Sequence, residues 1–266
     1  MQPPLYVPKN KEQYIDLREQ VLYEYFAKDL GWGELMSSRA CFEFLIEARN
    51  FSKGKTVLDA GAGQKRFEPF FTESNYLTLE HPSGIAMKGM AHISYDYVCE
   101  LDGDNFLPSD NSIDLIYSHS VLEHIERPEK FFANAIKCLK QSGRLFLNVP
   151  FMYLEHETPY DFNRFTRYGL KSRLEEAGFR ILKLLPSSNS IEGTTAFILD
   201  GIINDAQSRG LQAENFTIKL PDSDQEHPLL PLVQHIIGSL YGLYDDAIYD
   251  STASIGWLCV AEKPAV

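Results

Sequence analysis

The fold class this sequence predicts is an α/β domain on an open parallel sheet, and three observations point to it. The run Thr56-Val57-Leu58-Asp59-Ala60-Gly61-Ala62-Gly63 reads as a buried strand entering a tight glycine turn. Further short apolar runs recur at 76–80, 112–118, 144–150, 180–185 and 255–261, with stretches of helical period between several of them. Glu80 closes the second run about 20 residues after Asp59, the offset at which an acid ending the second strand of a βαβ unit can accept hydrogen bonds from ribose hydroxyls. In such a sheet the ligand crevice lies beyond the carboxyl ends of the strands, so the expected ligand is a nucleoside.

Ahead of the sheet, Tyr14, Leu17, Val21 and Tyr25, with Leu22, Phe26 and Leu30, recur at helical spacing over 11–30. Ser37 is expected to start a second helix with Phe42, Leu45 and Ile46 inward. The two helices are either a packing layer or a flap over the ligand. In the turn itself, Gly61 and Gly63 lack a Cβ and let the backbone approach a bound molecule. A dinucleotide fingerprint needs Gly or Ala at its last position, which here is Arg66. An acid opening the turn also repels a diphosphate, whereas it suits a cationic sulfonium or amino group.

At this point the chain resembles the class I S-adenosylmethionine-dependent methyltransferases, whose first motif is an acid followed by alternating glycines. One departure is that Lys65 replaces the third glycine. The segment Gly61-Ala62-Gly63-Gln64-Lys65-Arg66-Phe67 is similar to a variant in methyltransferases that resemble those of cell-surface glycan pathways. The resemblance implies a Rossmann-like, doubly wound sheet of seven strands with the last antiparallel. It also implies S-adenosyl-L-methionine as cofactor, the amino acid end near Asp59, Gly61 and Gly63, the ribose on Glu80, and no catalytic metal.

A weak third strand is expected at 92–98, followed by the acidic loop Glu100-Leu101-Asp102-Gly103-Asp104. The family pattern implies an acid on the adenine amino group and a neighbouring N–H on a ring nitrogen. Glu100 and Leu101 are assigned to these roles, with Asp102 and Asp104 as open alternatives. After the fourth strand, His119-Ser120-Val121-Leu122-Glu123-His124-Ile125 resembles the segment that passes beneath the methionine part of the cofactor, which adds Ser118 and His119 to the cofactor site. Pro128 suits the first turn of a helix with Phe131, Phe132, Ala135, Ile136 and Leu139 inward, ended by Gly143. The fifth strand leads into a polar-aromatic loop over 151–166, where Thr166 can cap a helix carrying Leu170, Leu174 and Ala177 that Gly178 ends.

That loop holds His156, Asp161 and Arg164, the candidate catalytic residues, and it too resembles a loop of the glycan-pathway relatives. His156 is the candidate base for a hydroxyl acceptor, with His119 and His124 behind it, because an imidazole of ordinary pKa near ~6.5 takes up a proton at neutral pH. Asp161 and Arg164 could equally be an ion pair that shapes the loop. Between the sixth and last strands, 187–252 is expected to be a helical insertion, with helices around 196–207 and 229–249. Leu232, Ile236, Leu240 and Leu243 form a stripe suited to the sheet domain or to a second subunit in a homodimer. The expected organisation is one domain over 1–266: helices at 11–50, a core at 55–186 and 253–263, and the insertion at 187–252.

Composition narrows the partners. A net charge of −12, without a basic block, argues against nucleic acid; the aromatic and hydrogen-bonding side chains of the loop over 151–166, and its resemblance to the glycan-pathway loop, imply a small-molecule acceptor, a sugar or other polar metabolite. The scattered Cys41, Cys99, Cys138 and Cys259 argue against a zinc site and fit reduced thiols in a cytoplasm. The amino terminus lacks a secretory pattern, and the apolar run at 229–244 is too short to span about 30 Å of hydrocarbon. Two rival classes are an NAD(P)-dependent oxidoreductase and a non-catalytic binding module on the same fold.

Overall fold

Alternation along the strands divides the core into two layers. The computed structural model describes residues 22–26, 32–210, 217–219, 226–228 and 252–265. Its strands are β1 (Thr56–Ala60), β2 (Asn75–Glu80), β3 (Tyr97–Val98), β4 (Ile113–His119), β5 (Leu139–Pro150), β6 (Arg180–Pro186), β7 (Thr217–Lys219), β8 (Glu226–Pro228) and β9 (Gly256–Glu262). Seven of them form one sheet of order β3-β2-β1-β4-β5-β9-β6, while β7 and β8 pair with each other. The neighbours from β3 to β5 are parallel, and β9 is antiparallel to both β5 and β6. The chain winds outward from β1 to β3, then restarts at β4 on the other side of β1. This reversal opens a crevice at the carboxyl ends of β1 and β4.

Because side chains alternate along a strand, Val57 points to one layer and Leu58 and Ala60 to the other. The first layer is closed by α1 (Trp32–Ser52), which buries Cys41, Phe42, Phe44, Leu45 and Ala48 against Leu115, Tyr117 and Phe146. A short helix, α2 (Pro82–Met87), follows β2. The second layer is closed by α3 (Pro128–Cys138) through Phe131, Phe132 and Ala135, and by α4 (Arg167–Glu176) through Leu170 and Leu174. Each fully buried Phe or Leu contributes about 1.5–3 kcal/mol of transfer free energy. Thr166 caps α4 as expected, its hydroxyl accepting from the Gly169 N–H at 3.1 Å.

Several boundaries differ from the sequence reading. The helix α1 begins at Trp32, ahead of Ser37, and the residues before it are described only at 22–26, where Phe26 is buried beside Phe42. The helix α3 stops at Cys138, well before Gly143, because Leu139 turns extended, is fully buried and pairs with Ile113 in the sheet. The third strand shrinks to Tyr97–Val98: Asp96 breaks the ladder by taking the Thr78 N–H and hydroxyl on its own carboxylate, both at 2.8 Å.

Within 187–252, α5 (Ser190–Ser208) starts earlier than 196, since Asn189 and Glu192 form a reciprocal capping box. It packs on α1, and the short β7–β8 pair occupies the polar linker. The helix expected at 229–249 lies outside the described residues. Entry to and exit from this segment are joined: the Ser187 N–H donates to Gly256 O at 2.9 Å and the Ile255 N–H to Ser188 Oγ at 2.9 Å. Among the described residues no helix is long and apolar enough to cross a membrane.

Candidate active site

The turn after β1 is held open by its neighbours on both sides. Gly61 has φ +85°, and a Cβ there would lie 2.4 Å from a methyl of Val121, so glycine is required for conformation and for space. Gly63 has φ +51° with nothing within 4 Å of a Cβ position, which leaves room above its backbone. Lys65, the departure from the glycine pattern, still adopts φ +56°; the left-handed conformation is kept although the residue has changed. The Gly61 N–H donates to Leu79 O at 2.9 Å, and the Tyr95 hydroxyl to Gly63 O at 2.7 Å.

The two acids of the turn lie on one face of the sheet in different settings. Glu80 accepts the Gly63 N–H on Oε2 at 2.6 Å and the His81 N–H on Oε1 at 2.9 Å, so each oxygen retains a lone pair for another donor. Asp59 is fully buried; the Tyr76 hydroxyl donates to its Oδ2, while Oδ1 has no partner. Burial, reinforced by the charge of Glu80 and opposed by the Tyr76 hydrogen bond, raises the Asp59 carboxyl from 3.8 to about 7.

The loop after β3 sorts its three acids. Asp102 is buried and accepts from the Arg127 backbone N–H at 3.1 Å and its Nε at 3.2 Å, which commits it to holding the loop. Asp104 is exposed beside Lys130 at 2.7 Å, and Glu100 is exposed with Arg127 at 4.0 Å. Leu101 is buried, and its carbonyl accepts from Asn134 at 2.9 Å. The Cys99 N–H donates to Glu80 O at 3.2 Å, so this loop is tied directly to the end of β2.

At the end of β4, the buried Ser118 hydroxyl donates to Ala60 O at 3.0 Å and ties β4 to the turn. His119 lies among Phe67, Tyr117 and Phe26, 3.1 Å from the Asn148 amide. Burial, with the nearby Arg66 charge, lowers it to about 3, so it is a neutral ring and a weak base.

The loop over 151–166 is brought onto the same edge by the segment after β4. The Phe162 and Asn163 N–H groups donate to Glu123 O at 2.8 and 3.1 Å. Arg164 grips Asp161 with two hydrogen bonds, at 2.6 and 2.7 Å, and also donates to Leu154 O at 2.9 Å. Asp161 Oδ2 in turn accepts the His156 N–H at 3.0 Å. The structure thus unites His156, Asp161 and Arg164, with the latter two forming the loop-shaping ion pair. His156 is partly exposed; its Nε2 lies 3.8 Å from Glu123 Oε1, and its ring is 4.9 Å from that of His124.

Sequence reasoning missed Glu123, Tyr76, Tyr95 and Val121. Glu123 is completely buried, neither carboxylate oxygen has a hydrogen-bond partner, and burial raises its carboxyl from 4.5 to about 8. Its signal was present: Glu123-His124 follows one parallel strand and His156 the next, so all three belong at one sheet edge. Tyr76 carried no such signal, because its pairing with Asp59 depends on the β1–β2 register.

A doubly wound sheet with an acid–glycine turn, a second acid on its neighbouring strand and a polar loop over the same edge defines a nucleoside-cofactor-binding α/β enzyme. Residues 34–184 match the family described as a methyltransferase domain, and the chain belongs to that family. It is an S-adenosylmethionine-dependent methyltransferase. No curated protein matches.

Among solved structures, the chain is similar to one from the complex between the Haloferax volcanii Trm112 methyltransferase activator and a methyltransferase (14% identity, 94% of each chain covered, TM-score 0.51). It is also similar to the [4+2]-cyclase SpnF (16% identity, 90% of this chain and 85% of that one, TM-score 0.53). A third is an S-adenosylmethionine-dependent methyltransferase from Archaeoglobus fulgidus (17% identity, 93% and 100%, TM-score 0.50). At these identities the likenesses establish the fold alone. The family assignment replaces the oxidoreductase reading that the strand, turn and ribose acid had left open.

The residues at the crevice fit S-adenosylmethionine. The buried, unpartnered Asp59 Oδ1 suits a cationic group, the open space at Gly63 admits a ligand against the backbone, and Glu80 keeps lone pairs for hydroxyls.

Proposed function

We propose that the enzyme methylates a hydroxyl of a sugar or a comparably polar small metabolite held by the loop over 151–166. The observation that carries this reading is one chain of contacts. Val121 fills the space beside Gly61 in the cofactor turn, and two residues later the Glu123 carbonyl anchors the loop through Phe162 and Asn163. A loop tied in this way to the cofactor turn can present an acceptor to the methyl group. Tyr160 and Phe162 are exposed on it beside the hydrogen-bonding His156, a combination suited to an amphipathic, hydroxyl-rich ligand.

In this reading Asp59, Gly61 and Gly63 receive the amino acid end of the cofactor, Glu80 the ribose, Glu100 and Leu101 the adenine, and Ser118 and His119 line the crevice. S-adenosylmethionine supplies an electrophilic methyl on its sulfonium. The protein aligns the acceptor oxygen and excludes water, and His156 takes the hydroxyl proton. Asp161 and Arg164 position His156 by fixing the loop backbone.

The test is methyl transfer from labelled cofactor into a panel of nucleotide sugars, free glycans, quinols and small amines. Label in a sugar product supports the reading; label only in an amine or quinol refutes the acceptor class and leaves the family intact. His156→Ala should lower turnover by roughly 10²–10⁴-fold with cofactor affinity nearly unchanged. A rise confined to the acceptor's KM would give the ring a shaping role instead.

A further inference from the structure

We propose that Glu123, His124 and His156 bind a divalent transition-metal ion of the zinc class. The inference goes beyond the acceptor assignment, since metal binding does not require the acceptor to be a sugar, and it departs from the expectation that the site uses no metal. The three side chains offer one carboxylate oxygen and two imidazole nitrogens, all within 4.8 Å of one another. His124 Nε2 and His156 Nε2 each lie 3.8 Å from Glu123 Oε1. Tetrahedral zinc with bonds of about 2.0–2.1 Å separates its ligands by roughly 3.4 Å, so the two carboxylate–imidazole distances need to close by about 0.4 Å and the widest separation in the set, at most 4.8 Å, by up to about 1.4 Å through side-chain rotation.

Each histidine has a carbonyl acceptor on the ring nitrogen that faces away from Glu123. His124 Nδ1 lies 2.7 Å from Tyr160 O, and His156 Nδ1 3.1 Å from Leu154 O and 3.4 Å from Asp161 Oδ2. The Tyr160 carbonyl only accepts, so His124 Nδ1 carries the hydrogen and its Nε2 keeps its lone pair; His156 Nδ1 also lies 3.4 Å from the donating Arg164 Nη2, and its two acceptors, the nearer at 3.1 Å, favour the same tautomer against that donor. Orientation of a ligating imidazole by a carbonyl or carboxylate on its far nitrogen is the usual outer support of a metal site. Independently, Glu123 is a fully buried acid with neither oxygen hydrogen-bonded, and two imidazole nitrogens lie 3.8 Å from its Oε1. A buried carboxyl without a partner is costly unless something supplies one, and a cation on the His124 and His156 nitrogens would do so.

Two imidazoles and a carboxylate favour zinc over magnesium or calcium, which prefer all-oxygen sets, and three protein ligands leave a position for water or an acceptor oxygen. An ion there takes the Nε2 lone pair of His156. The metal-bound form would then activate an acceptor hydroxyl by lowering the pKa of an oxygen in the open position, and only the metal-free form by the free ring.

The experiment uses the full chain, stripped with a chelator and titrated with zinc chloride by calorimetry, with cobalt(II) absorption as a second readout. One equivalent should bind. Glu123→Gln, His124→Gln and His156→Gln should each weaken it by at least about 10-fold and abolish the cobalt spectrum. Denaturant unfolding of the stripped variants shows which are folded, and any folded one carries the comparison. Lack of saturable one-to-one zinc binding, or binding unmoved in the folded variants, overturns the proposal. Cofactor binding measured on the same stripped protein reports on the methyltransferase site separately.

Discussion

Replacing Asp59 by Asn should make the stability of the cofactor-free protein much less dependent on pH between about 4 and 7. In the native state burial lifts the carboxyl from 3.8 to about 7, with Glu80 adding repulsion and the Tyr76 hydroxyl opposing it. The folded protein therefore holds this proton more tightly than the unfolded chain. The sign is opposite to that of an ordinary paired aspartate: the contribution is fully present below pH 3.8 and is lost as pH rises to about 7. At 1.36 kcal/mol per pKa unit the loss is about 4 kcal/mol. Asn keeps the shape and an oxygen for the Tyr76 hydroxyl but cannot ionise.

Urea unfolding of both proteins from pH 4 to pH 8 measures this directly. The difference in unfolding free energy, variant minus wild type, should grow by about 4 kcal/mol across the range, most of it before pH 7. Because other titrating groups are common to the two proteins, they largely cancel. A difference flat to within about 1 kcal/mol would refute the argument, since it would mean that the carboxyl titrates normally in the folded state. The same acid should couple to the ligand: a cationic cofactor favours the ionised form, so binding near pH 7 should release a proton, seen as a binding enthalpy that changes with the buffer's ionisation heat.

Three further outcomes follow from the turn and its acids. Glu80→Ala should weaken cofactor binding by about 1.5–3 kcal/mol, the range for hydrogen bonds to a charged group, and unchanged affinity by calorimetry would remove Glu80 from the ribose site. Gly61→Ala forces a left-handed residue against Val121 and should cost about 1–3 kcal/mol in denaturant unfolding; Gly61→Ala with Val121→Ala should recover only the steric part, leaving the strain of φ +85°. Lys65→Gly should be neutral or stabilising by up to about 1 kcal/mol, because the position already has φ +56°, and a clear destabilisation would show that the lysine side chain supports the turn.

Much of this fold was legible because strand period and turn chemistry are local. The β1 run with its glycines, the acid ending β2, and the Thr166 cap all depend on residues within a few positions of one another, where φ and side-chain alternation are set. The approximate positions of six of the seven sheet strands could be read in this way. The parallel arrangement of the leading strands and the antiparallel last strand came from motif order and family resemblance, and the ladders bear them out.

What only the tertiary structure decided concerns contacts between segments distant in the chain. The helix α3 ends at Cys138 because Leu139 gains more from burial and from pairing with Ile113 than from another helical turn, a competition that period alone cannot rank. The pairing of Asp59 with Tyr76 follows from strand register, and register also gives Asp59 its raised pKa. In the sequence Glu123 is one member of the motif that follows the fourth strand, with nothing local to mark it as buried. Its burial beside two histidines from separate segments exists only once β4 and β5 lie side by side and the loop over 151–166 folds back on the Glu123 carbonyl. The sequence by itself determined the scaffold and its cofactor. The long-range packing determined the electrostatics of the site, because desolvation is set by everything that surrounds a charge.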